Sequence, residues 1–208
     1  MRFLPRHVAA VLTAVALVTG CGGADDPRAQ PTPSLPLPTL PAGDLNDRVL
    51  QPAEVSRNLV PIAANTGTRD IKAVSAFYAD AKAAEKQLQK NGFQASYVVQ
   101  YADPSTNAVV TNVVTKFATA AGAKGDLTAD LTSARKTGAV FPVTGLGDEA
   151  GGVRSKRDKN SPEGSLVTLR WRSGDTTWLL AVSASTLVAQ DGVRKLADQL
   201  MTRLSKEA

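Results

Sequence analysis

The chain has 208 residues, of which 43% are hydrophobic and 21% are charged, and its net charge at pH 7 is +5. The single histidine and the single cysteine both lie within the first 21 residues, so Ser-His-Asp catalysis, Cys-His catalysis and the usual zinc sites are excluded from the rest of the chain. The mild positive charge and an aromatic content of 5% do not form the pattern of a nucleic-acid-binding protein.

Residues 1–20 have the layout of a secretory signal peptide. Arg2 and Arg6 precede the unbroken apolar stretch 8–18, and small residues follow it. These eleven residues would span roughly 16 Å as a helix, well short of the ~30 Å hydrocarbon core of a bilayer. Removal of residues 1–20 would lower the net charge from +5 to +3.

The sequence Val18-Thr19-Gly20-Cys21 resembles the lipobox of bacterial lipoproteins. The resemblance implies cleavage after Gly20 and a diacylglycerol on the Cys21 thiol, as part of a palmitate-type anchor. Two or more acyl chains hold a protein firmly on a bilayer. We therefore expect the membrane to be a partner through Cys21, with the protein on the extracytoplasmic face. The alternative is an ordinary secretory signal with an incidental cysteine.

Residues 21–43 are predicted to be a tether. Six of the twelve prolines of the chain fall between residues 22 and 42, and closely spaced prolines favour an extended chain without a packed core. The remaining 165 residues, 44–208, are long enough for one well-packed domain.

The first elements of this domain are predicted to be helical or irregular. Residues 45–60 contain Pro52 and read as a short helix or an irregular segment, and 66–69 read as a loop. Asp70 is predicted to be the N-cap of a long helix that stops near Gly92. Its apolar stripe consists of Val74, Phe77, Ala81, Ala84 and Leu88.

Two strands and a helix follow. The first strand, 93–101, places Tyr97, Val99 and Tyr101 on one face. The second strand, 109–117, is apolar on both faces, which predicts a central strand that is covered on both sides. The Ala-rich stretch 118–136 is predicted to be a helix.

A second hairpin is predicted around the turn Gly174-Asp175. This register pairs Ser173 with Thr176, and it places three apolar pairs on one face of the sheet, while Thr168, Arg170 and Arg172 lie on the other. The apolar pairs are Trp171 with Trp178, Leu169 with Leu180, and Val167 with Val182.

A last helix covers 191–204, with a stripe of Val193, Leu196, Ala197, Leu200 and Leu204. The predicted order is α-ββα-ββα. The predicted fold class is therefore α+β, an antiparallel sheet of two hairpins with helices packed on it.

Two short motifs suggest chemistry, but their context does not support it. Residues 145–150, GLGDEA, match the G-x-G-x-x-A pattern of phosphate-binding loops. Pro142 interrupts the preceding run of residues, and Asp148 and Glu149 would repel a diphosphate, so we interpret the segment as a turn into an edge strand. Residues 133–136, SARK, match the S-x-x-K of penicillin-recognising enzymes but are predicted to be a surface helix end.

Four residues are candidates for ligand binding. Tyr97 and Tyr101 carry hydroxyl groups suited to a pocket rim, with core packing as the alternative. Arg170 and Arg172 lie on the polar face of the second hairpin. We predict no catalytic residue, no metal site and no cofactor.

Three segments together resemble actinobacterial surface lipoproteins: 116–123 (KFATAAGA), 145–150 (GLGDEA) and 169–175 (LRWRSGD). The layout is also similar to that of the extracellular sensor domains of mycobacterial receptor kinases. The resemblance implies an α+β cell-envelope domain and supplies no catalytic residues.

These observations favour a membrane-anchored extracytoplasmic lipoprotein that binds or senses a small or lipidic ligand. This expectation rests on the central strand 109–117, which is apolar on both faces. A second layer over such a strand can cover a ligand-binding cleft. The alternative is a module that binds an envelope protein, which requires an exposed apolar patch. A hydrolase that uses carboxylates or Ser133 and Lys136 is a third hypothesis, and nucleic acid is not expected as a partner.

Overall fold

Eight strands form one antiparallel sheet in the computed structural model, which describes residues 45–78, 80–155, 165–185 and 188–207. All of them belong to one compact unit, Pro38–Ala208. The predicted signal peptide, Cys21 and the tether lie outside the described residues. Within the described ranges, no helix is both long enough and apolar enough to cross a membrane.

The sheet has the order β1-β3-β4-β8-β7-β6-β5, and β2 also pairs with β3. Its strands are β1 (Val60–Pro61), β2 (Gly67–Arg69), β3 (Phe93–Asp103), β4 (Ala108–Phe117), β5 (Gly138–Pro142), β6 (Glu149–Ser155), β7 (Ser165–Ser173) and β8 (Thr176–Ala184). The helices are α1 (Ile71–Ser75), α2 (Ala81–Lys90), α3 (Ala120–Thr137) and α4 (Gln190–Glu207). The α+β class is confirmed, whereas the predicted order matches only roughly.

The predicted register of the β7–β8 hairpin is confirmed at every pair. Ser173 lies opposite Thr176, and the three apolar pairs follow in sequence. Gly174 has a φ of +57°, which glycine adopts at low cost in a two-residue turn. The rings of Trp171 and Trp178 stack with their centroids 5.9 Å apart.

The prediction that β4 is a central strand is also confirmed. Side chains on both of its faces are buried, and they belong to two separate hydrophobic clusters. On the first face, Val110 and Val114 pack with α4 and the segment 45–55. On the second face, Val113 packs with α1, α2 and α3.

The predicted helix after Asp70 is two helices, so this prediction is partly wrong. Asp70 caps α1 as expected, because its Oδ1 accepts a hydrogen bond from the N–H of Ala73 at 2.7 Å. Asp80 caps α2 in the same way, accepting from the N–H of Ala83 at 3.0 Å. An aspartate side chain that binds the backbone competes with helix continuation, so the chain breaks between Ser75 and Ala81.

The sheet is larger than the sequence predicted. Residues 66–69 were expected to form a loop, yet Gly67–Arg69 is a strand that pairs with β3. β5 was not predicted, and β6 is not an edge strand, because it pairs with both β5 and β7. β6 was not recognised as a strand with two partners because two of its residues are glycines, which have no side chains to alternate between the faces. A Cβ on Gly151 would lie 2.8 Å from Leu131, and one on Gly152 would lie 2.1 Å from the Phe141 ring.

The segment 45–55, predicted to be short or irregular, is fixed to the first face through its backbone. Asn112 accepts from the N–H of Leu50 at 2.9 Å, and the hydroxyl of Tyr101 donates to the carbonyl of Leu50 at 2.8 Å. The indole N–H of Trp178 donates to the carbonyl of Arg48 at 2.9 Å. The segment 45–55 is therefore part of the layer that covers the first face.

Candidate functional site

A small polar pocket lies between the second face of the sheet and the helices above it. Its volume is about 20 Å³, which is room for one or two water molecules. The helical layer contributes six residues and the sheet contributes six. Those of the helical layer are Val74, Phe77, Tyr78, Asp126, Leu127 and Asp130, and those of the sheet are Val113, Thr115, Arg170, Thr177, Trp178 and Leu179.

Arg170 is the centre of this pocket. The alternation of β7 turns its side chain away from the tryptophan core and under α3. There its guanidinium pairs with Asp130, and it lies over the ring of Tyr78 at 5.6 Å from the ring centroid. Its Nε is buried and has no hydrogen-bond partner among the described residues. Burial lowers the pKa of this guanidinium.

Asp126 is the second carboxylate of the pocket and lies one helical turn before Asp130. Only 4% of its surface is exposed, and the hydroxyl of Tyr78 donates to it at a long 3.4 Å. Burial raises the pKa of Asp126 to about 6, against the opposing effect of Arg170. Burial together with Asp126 also raises the pKa of Tyr78, so this hydroxyl stays a donor at neutral pH.

The charges of the pocket do not balance. One guanidinium faces two carboxylates, and Asp126 also has hydrogen bonds with the hydroxyls of Tyr78 and Thr177. A group that enters would meet an unused donor on Arg170 and an acceptor on Asp126. Within the described ranges, no cluster of three or more histidine, cysteine, aspartate or glutamate side chains could hold a metal ion.

Of the four residues proposed from the sequence, Arg170 alone lines this pocket. Tyr101 is 1% exposed and lies in the core of the first face. There, burial raises the pKa of its hydroxyl to about 12. Tyr97 is half-buried at the edge of the same cluster. Both tyrosines therefore lie across the sheet from the pocket.

Arg172 holds a surface turn. Its Nη1 donates to Asp148 and its Nη2 to Glu149, each at 2.9 Å, and the hydrogen bond to Arg172 lowers the pKa of Glu149. Asp148 also accepts from the N–H of Gly174 at 2.8 Å. The GLGDEA segment thus ties the start of β6 to the β7–β8 turn, which agrees with its interpretation as a turn.

Sequence reasoning missed Tyr78, Asp126 and Asp130. A signal for the two aspartates was present, because they share a helical stripe with the apolar residues Ala123, Leu127 and Leu131. Two carboxylates on the inner stripe of an amphipathic helix indicate a buried polar site. The sequence gives no comparable signal for Tyr78.

The fold is similar to that of a known domain. The extracellular domain of PknH from Mycobacterium tuberculosis matches with a TM-score of 0.53 and 13% sequence identity, over 78% of this chain and 97% of that domain. The resemblance in layout to the extracellular domain of a mycobacterial receptor kinase is therefore confirmed for the fold alone. No protein-family model matches the chain, and no curated protein matches it significantly.

Proposed function

We propose that this protein is an extracytoplasmic, lipid-anchored binding protein or sensor whose ligand occupies the pocket around Arg170. The observation that carries the proposal is the unpartnered, buried Nε of Arg170, in a pocket that the carboxylate of Asp126 also lines. Buried polar groups in folded proteins normally have partners, so an unpartnered donor next to a carboxylate that can accept a further hydrogen bond marks a place for a further group.

The pocket favours a small group that both accepts and donates hydrogen bonds. A hydroxyl meets this requirement, because its oxygen accepts from Arg170 and its proton is donated to Asp126. An ammonium group has no lone pair for Arg170, and a carboxylate would be repelled by two aspartates. At about 20 Å³ the closed pocket admits one such group. The ligand is then a small hydroxylated molecule, or the hydroxyl of a larger molecule whose remainder stays outside.

The pocket proposal is tested by native mass spectrometry of the gently purified full chain. We expect the wild type to carry the additional mass of a bound ligand. The control variant Asp148→Asn, in which the same substitution is made at the surface, should carry it too. We expect no bound mass on Asp126→Asn, because an amide presents its own donors to the pocket. Wild-type protein without any bound mass, together with a crystal structure that holds only water at Arg170, would reject the proposal.

The anchor is a separate part of the proposal. It is supported by the lipobox-like residues before Cys21, the proline-rich tether and the fold shared with an extracellular domain. We expect the native N-terminus to be a diacylglycerol-modified Cys21. In cells fed an alkyne-labelled fatty acid, the wild type should carry the label and Cys21→Ala should not. Equal labelling, or an uncut leader in both, would contradict the anchor.

The scaffolding alternative requires an exposed apolar patch. Among the described residues, the exposed large hydrophobic side chains are Val60 at 49% and Leu166 at 38%. The strand register places them at the two ends of one row across β1, β3, β4, β8 and β7. Three strands separate them, so the two side chains make no contiguous patch of the size typical of interfaces. We therefore favour the pocket.

The hydrolase hypothesis has less support. Lys136 is exposed at the C-terminal end of α3, and Ser133 lies on the same last turns of the helix rather than in the pocket. We propose a non-enzymatic role. Unchanged labelling by a serine-reactive probe after Ser133→Ala would agree with it, and loss of labelling would support the hydrolase.

A further inference from the structure

The two layers that cover the sheet differ in how their charged residues are placed. The layer on the second face, 70–90 with 118–137, carries seven basic and five acidic residues, and two of the acidic ones, Asp126 and Asp130, line the pocket with Arg170. The basic residues are Lys72, Lys82, Lys86, Lys90, Lys124, Arg135 and Lys136. The layer on the first face, 45–59 with α4, carries six basic and five acidic residues. Two of its four arginines form ion pairs, Arg194 with Asp198 at 2.7 Å and Arg203 with Glu54 at 3.0 Å.

Three of these seven basic residues lie on α2. Lys82, Lys86 and Lys90 are spaced by four residues, so they form one stripe along the helix. Ala84 and Leu88 are buried against the sheet and lie about 180° around the helix from this stripe, at roughly 100° per residue. All three lysines are exposed, and none forms an ion pair with a described residue.

We infer that this lysine stripe of α2 docks on the anionic lipid surface of the bilayer to which the protein is anchored. Three ammonium groups on one line, with no apolar side chain between them, fit a plane of phosphate headgroups rather than a hydrophobic groove. Juxtamembrane lysines bind such surfaces through the surface potential, which decays within a Debye length. Only a surface held close to the bilayer can use this attraction.

The reach of the tether allows this orientation. The segment 45–55 lies on the first face and α2 lies on the second, so this orientation needs a predicted tether that is longer than the domain is wide. Its 22 residues between Cys21 and Asp44 reach roughly 65 Å when stretched. A domain of this length has a diameter of about 40 Å. The inference depends on the proposed lipid anchor, which would hold the domain near the bilayer. It does not depend on the pocket.

The experiment measures co-sedimentation with lipid vesicles of the chain without its predicted leader, residues 21–208 carrying Cys21→Ser. One set of vesicles is phosphatidylcholine alone and the other contains phosphatidylglycerol in addition. We expect binding to the anionic vesicles at low salt, and loss of that binding at high salt. The triple variant Lys82→Gln, Lys86→Gln, Lys90→Gln should bind about fivefold more weakly for each lysine removed.

A matched variant removes the same charge from the other layer: Arg57→Gln, Lys195→Gln, Lys206→Gln. Each replaced side chain is exposed, and we expect this variant to keep most of the binding. Tryptophan fluorescence confirms that both variants are folded, since Trp171 and Trp178 report on the core.

Three results would overturn the inference. They are equal binding to both kinds of vesicle, equal weakening by both triple variants, and binding to soluble polyphosphate as tight as binding to the anionic vesicles. The last result would assign the stripe to an anionic polymer instead. The tested chain carries no lipid, and the lysine stripe lies outside the pocket. The vesicle binding measured here is therefore independent of whether the anchor proposal or the ligand proposal holds.

Discussion

Replacement of Asp126 by asparagine tests whether the pocket carries an excess of buried negative charge. Asn has the shape of Asp and cannot ionise, and Arg170 keeps its ion pair with Asp130 in the variant. The change therefore removes one charge while the packing of α3 on the sheet is preserved. Loss of a buried polar partner usually destabilises a protein. Here we expect the variant to be more stable than the wild type at neutral pH, so the experiment separates the two cases.

The magnitude follows from the pKa of Asp126, which burial raises from 3.8 to about 6. The folded protein thus holds this proton more tightly than the unfolded chain. Its contribution to stability is full below pH 4 and is lost as the pH rises through about 6. A pKa difference of about two corresponds to about 3 kcal/mol. We expect the variant to match the wild type near pH 4 and to be up to about 3 kcal/mol more stable above pH 7.

The assay is urea denaturation followed by tryptophan fluorescence, at several pH values and constant ionic strength. Trp171 and Trp178 are both buried, and their emission reports on the core. The difference between variant and wild type cancels the contributions of the other carboxylates. Asp148→Asn is the control, because its carboxylate is half exposed, and it should show no such rise. A variant less stable than the wild type at neutral pH, with no change of the difference between pH 4 and 7, would refute the reasoning.

Three further predictions concern packing. Gly147→Ala should lower the melting temperature more than Gly174→Ala. Both glycines have a positive φ, but only at Gly147 would the new Cβ overlap a carbonyl oxygen, that of Arg172, at 2.2 Å. Equal effects would mean that the turn relaxes. Gly152→Ala should destabilise because its Cβ would overlap the Phe141 ring, and a double-mutant cycle with Phe141→Ala should recover part of the loss. Asn112→Ala should cost about 2 to 4 kcal/mol in urea denaturation, since the fully buried Asn112 amide has a buried bond with the N–H of Leu50 and a part-buried bond with the carbonyl of Leu179. Gln100→Ala, whose bonds are only part-buried, should cost less.

The part of the fold nearest the second hairpin could be predicted from the sequence because each signal there is local. Alternation and the Gly174-Asp175 turn fix the same register independently, and a one-residue slip would turn both tryptophans to the other face. The valines on both faces of β4 indicated burial on both sides for a similar reason. In contrast, β6 contains Gly151 and Gly152, which have no side chains to alternate, so its pairing on both sides was not visible.

The proposal of a lipid anchor also comes from the sequence. A leader-like segment, a lipobox-like tetrapeptide and a proline-rich segment follow one another along the chain. The sequence identified Arg170 as lying on the polar face of its hairpin, but not what that arginine meets. The tertiary structure decided the pocket: Tyr78, Asp126 and Arg170 come from segments more than forty residues apart. The physical reason is that hydrophobic periodicity is a local property of the chain, whereas the burial of a charge depends on which distant segment is packed over it.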